Sequence, residues 1–189
     1  MRLQKHNRSS VLRLVLVLAV AMLAVAPVFA QSVSTYSEYS AKFLCGIADG
    51  TSLEHAQYST SINIHNPNLF ASDMPLSFLK KAVLANTEGK TLVPPSAFRQ
   101  DTLPNDYAES VNCTVIRSLL GTAAPAAPAF IEGFVVLIVP PASNPNQLDV
   151  TAVYTSSKAP SSITLDVVPI TGRIITPPAA GAAVTGQVE

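Results

Sequence analysis

Two histidines of this sequence have side chains that could bind a metal ion. His55 and His65 lie close in the chain to the carboxylates of Asp49, Glu54 and Asp73. A zinc site needs three or four such ligands in fixed geometry, often with a close spacing such as His-x-x-x-His, and that spacing is absent. The sequence therefore predicts no metal site. A small-ligand or metal binder remains an alternative, in which the two histidines meet at one end of the fold.

Hydrolytic and phosphate chemistry also lack their usual sequence patterns. No Gly-x-Ser-x-Gly turn is present, and the eight glycines are scattered rather than gathered in a phosphate-binding loop. Asp149 and Asp166 fall on strand positions that we expect to face outward, where solvated charges are more common than a catalytic pair across a cleft. We therefore predict that the protein is not an enzyme and that it uses no cofactor.

The first thirty residues have the pattern of an export signal. A basic head from Arg2 to Arg13 precedes an uninterrupted apolar run from Leu14 to Ala26, and Val28-Phe29-Ala30 then supplies small residues at the two positions that a signal peptidase reads. The apolar run is shorter than the roughly 20 residues that span a bilayer. We predict a signal peptide over 1–30, cleavage after Ala30, and a secreted or periplasmic product without membrane insertion. An uncleaved anchor is the alternative.

Removing this segment makes the protein acidic. Four of the 12 basic residues lie within the first thirty, whereas all 12 acidic residues follow them, so eight positive charges face 12 negative ones in the remainder. A mildly acidic surface without a basic stripe argues against nucleic acid as a partner. We expect a non-catalytic binding or structural module whose partner is an unidentified protein or another component of the cell surface. An assembly subunit that associates through sheet edges or faces is an alternative.

Both cysteines, Cys45 and Cys113, lie in the part predicted to be exported. In an oxidising compartment, two cysteines in one domain most often form a disulfide. The alternative is two separate buried thiols. No Cys-x-x-Cys spacing supports a redox role.

The predicted domain, residues 31–171, is rich in short segments with apolar side chains at every second position, which is typical of β-strands. Strands are predicted at 36–46, 57–65, 76–86, 130–139, 148–155 and 162–168, with at most a short edge strand within 93–104. Lys80 and Lys81 are expected to be exposed on the third of these. The segment 107–121 is read either as one helix or as a strand at 108–112 followed by a helix from Thr114 to Leu120, and the second reading is favoured.

The strand at 130–139 is apolar on both faces, which predicts a position in the middle of a sheet. We expect it to form an antiparallel hairpin with 148–155 through the proline-rich link between them. Together these features predict an all-β fold, an antiparallel β-sandwich of immunoglobulin-like or jelly-roll-like arrangement with at most one short helix. Residues 172–189 lack any period and are expected to form a disordered tail.

Several blocks of this sequence resemble a group of uncharacterised exported bacterial and archaeal proteins. The blocks are Tyr39-Ser-Ala-Lys-Phe-Leu-Cys45-Gly46, Ser61-Ile-Asn-Ile-His-Asn-Pro67, Phe78-Leu-Lys-Lys81, Glu109-Ser-Val-Asn-Cys113, Phe130-Ile-Glu-Gly-Phe-Val-Val136 and Leu148-Asp-Val-Thr-Ala-Val-Tyr-Thr155. In layout alone, the plan is also similar to the β-sandwich of the sensory rhodopsin transducer family. The resemblance implies one exported sandwich and a Cys45–Cys113 bridge, but it implies no catalytic residue and no ligand.

Overall fold

The fold was analysed in a computed structural model, which describes residues 35–51, 53–68, 75–86, 89–140, 148–158 and 162–176. The predicted signal peptide and most of the predicted tail lie outside these residues. Nine strands, one α-helix and one short 3₁₀ turn account for the regular structure of the described part. They are β1 (Tyr36–Ile47), β2 (Gln57–His65), β3 (Leu76–Leu84), β4 (Arg99–Leu103), β5 (Ala108–Asn112), α1 (Cys113–Leu120), the 3₁₀ turn Gly121–Ala123, β6 (Ile131–Val139), β7 (Asp149–Lys158), β8 (Ser162–Pro169) and β9 (Arg173–Ile175).

The strands form two antiparallel sheets that are joined at one corner. Sheet A has the order β4-β3-β6-β1, and β9 pairs with the beginning of β1. Sheet B consists of β2, β7 and β8, with β5 added on the other side of β2. The corner is the pairing of Gly46 and Ile47 in β1 with Tyr58 and Gln57 in β2. The all-β prediction with one short helix is thus confirmed.

The interior of the sandwich comes from the period of two in each strand. On β3 the buried side chains are those of Leu76, Phe78, Lys80 and Ala82, and the residues between them are half-buried. The same alternation buries Ile62 and Ile64 on β2. The inner faces of both sheets contribute to one apolar cluster, so the two sheets share a single core. Burying such side chains contributes roughly 1.5–3 kcal/mol each before the entropy cost of ordering the chain is subtracted.

Side chains from sheet B complete the hydrogen bonding of β1 where it leaves the corner. The Thr60 hydroxyl accepts a hydrogen bond from the Leu44 amide at 2.9 Å and donates one to the Leu44 carbonyl at 3.0 Å. Further along β1, the Tyr154 hydroxyl donates to the Lys42 carbonyl at 2.9 Å. These bonds satisfy backbone groups that have no neighbouring strand at that point.

The helix α1 closes one end of the core. Its N-cap is Asn112, whose side chain accepts hydrogen bonds from the amides of Thr114 and Val115, both at 3.1 Å. Such a cap stabilises a helix by about 1 kcal/mol. Ile116, Leu119 and Leu120 are buried in the shared cluster. The favoured reading of the 107–121 segment, a strand followed by a short helix, is therefore confirmed, and the single-helix reading is wrong.

Two other expectations are wrong. The strands β6 and β7 do not form a hairpin, because β6 lies between β1 and β3 in sheet A whereas β7 lies between β2 and β8 in sheet B. Each of the two strands instead pairs with two neighbours in its own sheet. The tail was expected to be disordered from Gly172, but β9 pairs Arg173–Ile175 with β1. The remainder of that tail lies outside the described residues.

Candidate functional site

The strand β8 shows large apolar side chains to solvent. Its alternating sequence, with Ile163, Leu165 and Val167 separated by Thr164 and Asp166, explains why it is a strand. The three apolar side chains, which we call the apolar row, are 75%, 63% and 54% exposed. Aliphatic side chains at alternate positions of a strand are ordinarily buried against a core. The row is therefore a continuous apolar surface on a regular, hydrogen-bonded element.

The apolar row belongs to the outer face of sheet B. Ile163, Leu165 and Val167 pair with Ser157, Thr155 and Val153 of β7, which alternate with the inward-facing residues of that strand. The next strand inward in the sheet, β2, contributes small polar side chains to the same face, namely Gln57, Ser59, Ser61 and Asn63. Among the described residues this face carries hydroxyl, amide and aliphatic groups, and the ionisable side chains of its strands, His65 and Asp149, lie together at the far end.

The outer edge of β8 carries backbone groups with which no strand of the described residues pairs. The amide of Ile170 donates a hydrogen bond to the Val150 carbonyl at 2.8 Å, so Ile170 points its backbone toward β7. Because successive residues of a strand alternate in this direction, Thr164, Asp166 and Val168 also face β7, and the residues of the apolar row face away from it. Pro169, which has no amide hydrogen, falls on an outward position, as a strand proline should. Among the described strands, only β7 pairs with β8.

A charged cluster ties the two sheets together on the opposite side of the sandwich. The Lys80 ammonium group lies 2.5 Å from the Asp101 carboxylate on β4 and 2.9 Å from the Glu109 carboxylate on β5. The Lys80 side chain is only 9% exposed. The prediction that Lys80 is exposed is therefore wrong, because consecutive strand residues point to opposite faces and only Lys81 can face outward.

The ionisation of this cluster is set by burial and by the paired charges. Burial lowers the pKa of Lys80, but its hydrogen bonds to Asp101 and Glu109 outweigh burial and raise the pKa above the ordinary lysine value. Burial raises the pKa of Asp101, yet the hydrogen bonds from Lys80 and from the Thr102 amide bring the pKa below the ordinary aspartate value. Lys80 and Asp101 are thus both held in their charged forms.

The two histidines do not meet. His55 lies in the turn before β2 and His65 is the last residue of that nine-residue strand, so they are separated by roughly 26 Å, at about 3.3 Å for each residue. The ring nitrogens of His65 instead contact the carboxylates of Asp149 and Asp106, each at 3.3 Å. Within the part of the chain that the structure describes, no group of three or more His, Cys, Asp or Glu side chains could hold a metal ion. The alternative of a small-ligand or metal binder at a shared histidine end therefore lacks the meeting of His55 and His65 on which it depends.

The two carboxylates considered for catalysis are also apart. Asp149 shares the outer face of sheet B with His65, its partner in the sheet register. Asp166 pairs with Tyr154, whose side chain points to the other face. The expectation that both face outward is therefore wrong for Asp166. Carboxylates on opposite faces of one sheet cannot act on the same bond.

The cysteines lie where the sequence suggested. Cys45 at the end of β1 and Cys113 at the start of α1 form a disulfide with a Cα–Cα distance of 5.6 Å, which joins sheet A to the segment that follows β5. No pattern in the sequence predicted a neighbouring set of hydrogen bonds, which Arg117 donates. The Arg117 guanidinium group donates to the carbonyls of Pro125 at 2.6 Å and Ala129 at 2.5 Å, and so fastens the loop before β6 to the helix.

Comparison with known proteins adds no relative. No family model matches the chain, and no curated protein and no solved structure matches it significantly. The resemblance to uncharacterised exported proteins therefore stays a prediction. Among the described residues, no helix is both long and apolar enough to cross a membrane.

Proposed function

We propose that this protein is an exported, non-catalytic β-sandwich that works by binding a protein partner through the outer face of sheet B. The observation that carries the proposal is the exposure of Ile163, Leu165 and Val167 on one regular strand. Contiguous apolar surface of this kind marks interaction sites more often than unoccupied surface.

The ordered backbone that carries the apolar row supports binding. The row stands on a strand that is hydrogen-bonded to β7 along most of its length, from Ser162 to Pro169. A partner therefore meets apolar groups that are already ordered, and the entropy cost of fixing them is small. Covering one such side chain completely is worth roughly 1.5–3 kcal/mol.

The chemistry of the face indicates the class of partner. Hydroxyl and amide side chains beside the apolar row can exchange hydrogen bonds with a protein surface. A phosphate backbone would require lysine or arginine on this face, and the described residues place none there. A protein with an apolar strand or ridge of its own is the partner that fits.

The charged groups support the non-catalytic part of the proposal. The carboxylates of Asp101 and Glu109 are engaged by Lys80, and those of Asp106 and Asp149 contact His65. General acid–base catalysis needs a group that can change protonation beside a substrate. Each of these carboxylates already has a lysine or histidine side chain as its partner.

The proposal of export rests on the sequence of residues 1–30 and on the Cys45–Cys113 bond, since stable disulfides belong to oxidising compartments. Amino-terminal sequencing of the protein from the envelope or medium of the producing cell should begin at Gln31. An intact amino terminus on protein recovered from the cytoplasm would contradict export.

Binding can be tested with a photo-reactive amino acid placed in the living cell at position 165. The matched control places the same group at Thr102, an exposed residue of the other terminal strand, β4. We expect discrete protein adducts from position 165 and none from position 102. Equal adduct patterns, or no adduct from either position, would contradict the proposed binding face.

A further inference from the structure

We propose that the partner of β8 is a second copy of this chain, which adds its own β8 antiparallel to the first, with Leu165 opposite Leu165. The inference rests on the proposed function, because it identifies the partner of the same apolar row. It joins the two copies of sheet B into one continuous sheet across a two-fold axis.

The first argument is the direction of the backbone groups. Ile163, Leu165 and Val167 point both their amide hydrogens and their carbonyl oxygens at the free edge, as the Ile170–Val150 hydrogen bond fixes. In an antiparallel pair, directly opposed residues of this type exchange two hydrogen bonds with each other. An edge of this kind is a template for another strand.

The second argument is that the edge is complementary to itself in the register centred on Leu165. A two-fold axis at Leu165 sets Ile163 of each copy opposite Val167 of the other. These three residues then meet at outward-facing positions, so each of their pairs can exchange both hydrogen bonds. The side chains of the two apolar rows fall on the same face and meet as apolar cross-strand pairs, which are the stabilising unit of a sheet.

Charge and proline disfavour the neighbouring register. A shift of the axis to Asp166 would oppose two aspartates directly, which is destabilising. It would also place Pro169, which has no amide hydrogen, opposite Ile163 and lose a hydrogen bond. In the register centred on Leu165, Asp166 faces Thr164, and no charged side chain lies on the apolar face. The single charge on β8 therefore favours the register centred on Leu165 over the one centred on Asp166.

The third argument concerns the strength of the association. One strand pair covers less surface than the 1,200–2,000 Å² or so of a standard stable interface. We therefore expect a reversible dimer whose population rises with concentration. Association that stops at the dimer also distinguishes the proposal from open-ended aggregation, because the pairing uses the β8 edge of each copy and leaves neither edge free.

The test is register-specific disulfide trapping in the full chain, produced with its own first thirty residues and purified as the cell delivers it. Leu165→Cys should cross-link to itself on mild oxidation, because residues opposed in an antiparallel pair lie within the Cα–Cα range of a disulfide. Ile163→Cys alone and Val167→Cys alone should not cross-link, since each lies about 13 Å along the strand from its own copy. A mixture of those two variants should cross-link to each other.

The control for chance collision is Thr102→Cys on β4, which is exposed on an edge strand like Leu165. We expect the Leu165→Cys dimer to form at least about tenfold faster than the Thr102→Cys dimer. Equal rates for these two variants, or self-cross-linking of Ile163→Cys as fast as that of Leu165→Cys, would overturn the proposal.

Sedimentation of the unmodified chain provides the second measurement. We expect a monomer–dimer equilibrium, and we expect Leu165→Lys to weaken the dimer by at least about tenfold, because two like charges then stand directly opposite each other. Its melting temperature should stay unchanged, since position 165 is exposed. A monomer at all concentrations, together with photo-adducts of Leu165 to a different protein, would overturn self-pairing and leave the proposed function standing. A monomer without any adduct would overturn both.

Discussion

The two strands at the ends of the strand order, β4 and β8, differ in how well their free edges are protected from pairing with other chains. β4 is a five-residue strand of mostly polar side chains, Arg99–Leu103, followed directly by Pro104, and Asp101 anchors it to Lys80. β8 is longer, carries one charge and exposes three large aliphatic side chains. Short, charged edges next to a proline resist pairing with other chains, whereas long apolar edges invite it. The difference indicates that one end of the fold is protected and the other is available for binding.

The largest expected effect is a loss of stability of the core that supports both β4 and β8. The double variant Cys45→Ala/Cys113→Ala removes a bond that closes a loop with a sequence separation of 68 residues. By the chain-entropy estimate, this should lower the free energy of unfolding by about 4 kcal/mol. Urea denaturation followed by circular dichroism measures the change. An unaltered unfolding midpoint would show that the two sheets hold together without the bond, and that the edges do not depend on it.

The next largest effect is a loss of stability on removing the ion pairs of Lys80, which hold β4, the protected edge. Lys80→Met leaves the carboxylates of Asp101 and Glu109 without their cation. Removing one partner of a buried pair costs about 3–5 kcal/mol, and because both carboxylates are partly exposed we expect roughly 2 kcal/mol of lost stability. The measurement is the same urea titration.

The matched control is Lys81→Met, one residue further along β3 and facing outward. It removes a contact of the Lys81 ammonium group with the Phe98 ring at 4.5 Å, worth about 0.5–1 kcal/mol. Equal losses for the two lysine variants would contradict the account of Lys80 as a buried tie between the sheets. Neither variant should change the dimer equilibrium, which belongs to β8.

The protected edge should also respond to acid. Asp101 has a folded-state pKa below its ordinary value, chiefly because the hydrogen bonds from Lys80 overcome the opposing effect of burial. Its contribution to stability is therefore complete above an ordinary aspartate pKa of about 4 and is lost as the pH falls through the lower folded-state value. The melting temperature of the unmodified protein should fall more steeply below pH 4 than that of Asp101→Asn. Parallel acid profiles for the two proteins would show that Asp101 gains nothing from its pairing.

The smallest effect concerns the available edge. In the register centred on Leu165, the two Asp166 carboxylates are diagonal neighbours across the pair and repel each other weakly. Asp166→Asn should therefore tighten the dimer by about two- to threefold at low salt, and the gain should vanish near 1 M salt, where charges are screened within about 3 Å. Sedimentation at both salt concentrations measures it. A much larger gain would indicate the register centred on Asp166, where the two carboxylates are directly opposed, and no gain at low salt would contradict the register centred on Leu165.

Local periodicity made much of the fold predictable. The bounds of β2 follow from alternation ended by Asn66-Pro67. The change from strand to helix was expected near Thr114, and the helix begins at Cys113, where the Asn112 side chain caps it. The pairing of β6 and β7 did not follow, because strands that are adjacent in sequence need not be adjacent in a sheet. Lys80 was misread because lysines are normally exposed, although its phase with Phe78 places it inward.

The candidate site was the least predictable part. Ile163, Leu165 and Val167 alternate as a buried strand does, and alternation cannot say whether the apolar face points to the core or to solvent. Only the register with β7 decides that it lies on the outer face. The His65 cluster was missed for a related reason, since Asp106 and Asp149 are distant from it in sequence and meet it through the sheet.

Backbone amide hydrogen exchange along β8, compared between dilute and concentrated protein, tests the central claim most directly. Thr164, Asp166 and Val168 face β7 and should be protected at both concentrations. The amides of Ile163, Leu165 and Val167 should exchange quickly in dilute protein and become protected as the concentration rises. Fast exchange at these three positions under all concentrations, or protection that does not depend on concentration, would contradict the claim that the free edge of β8 is the binding surface.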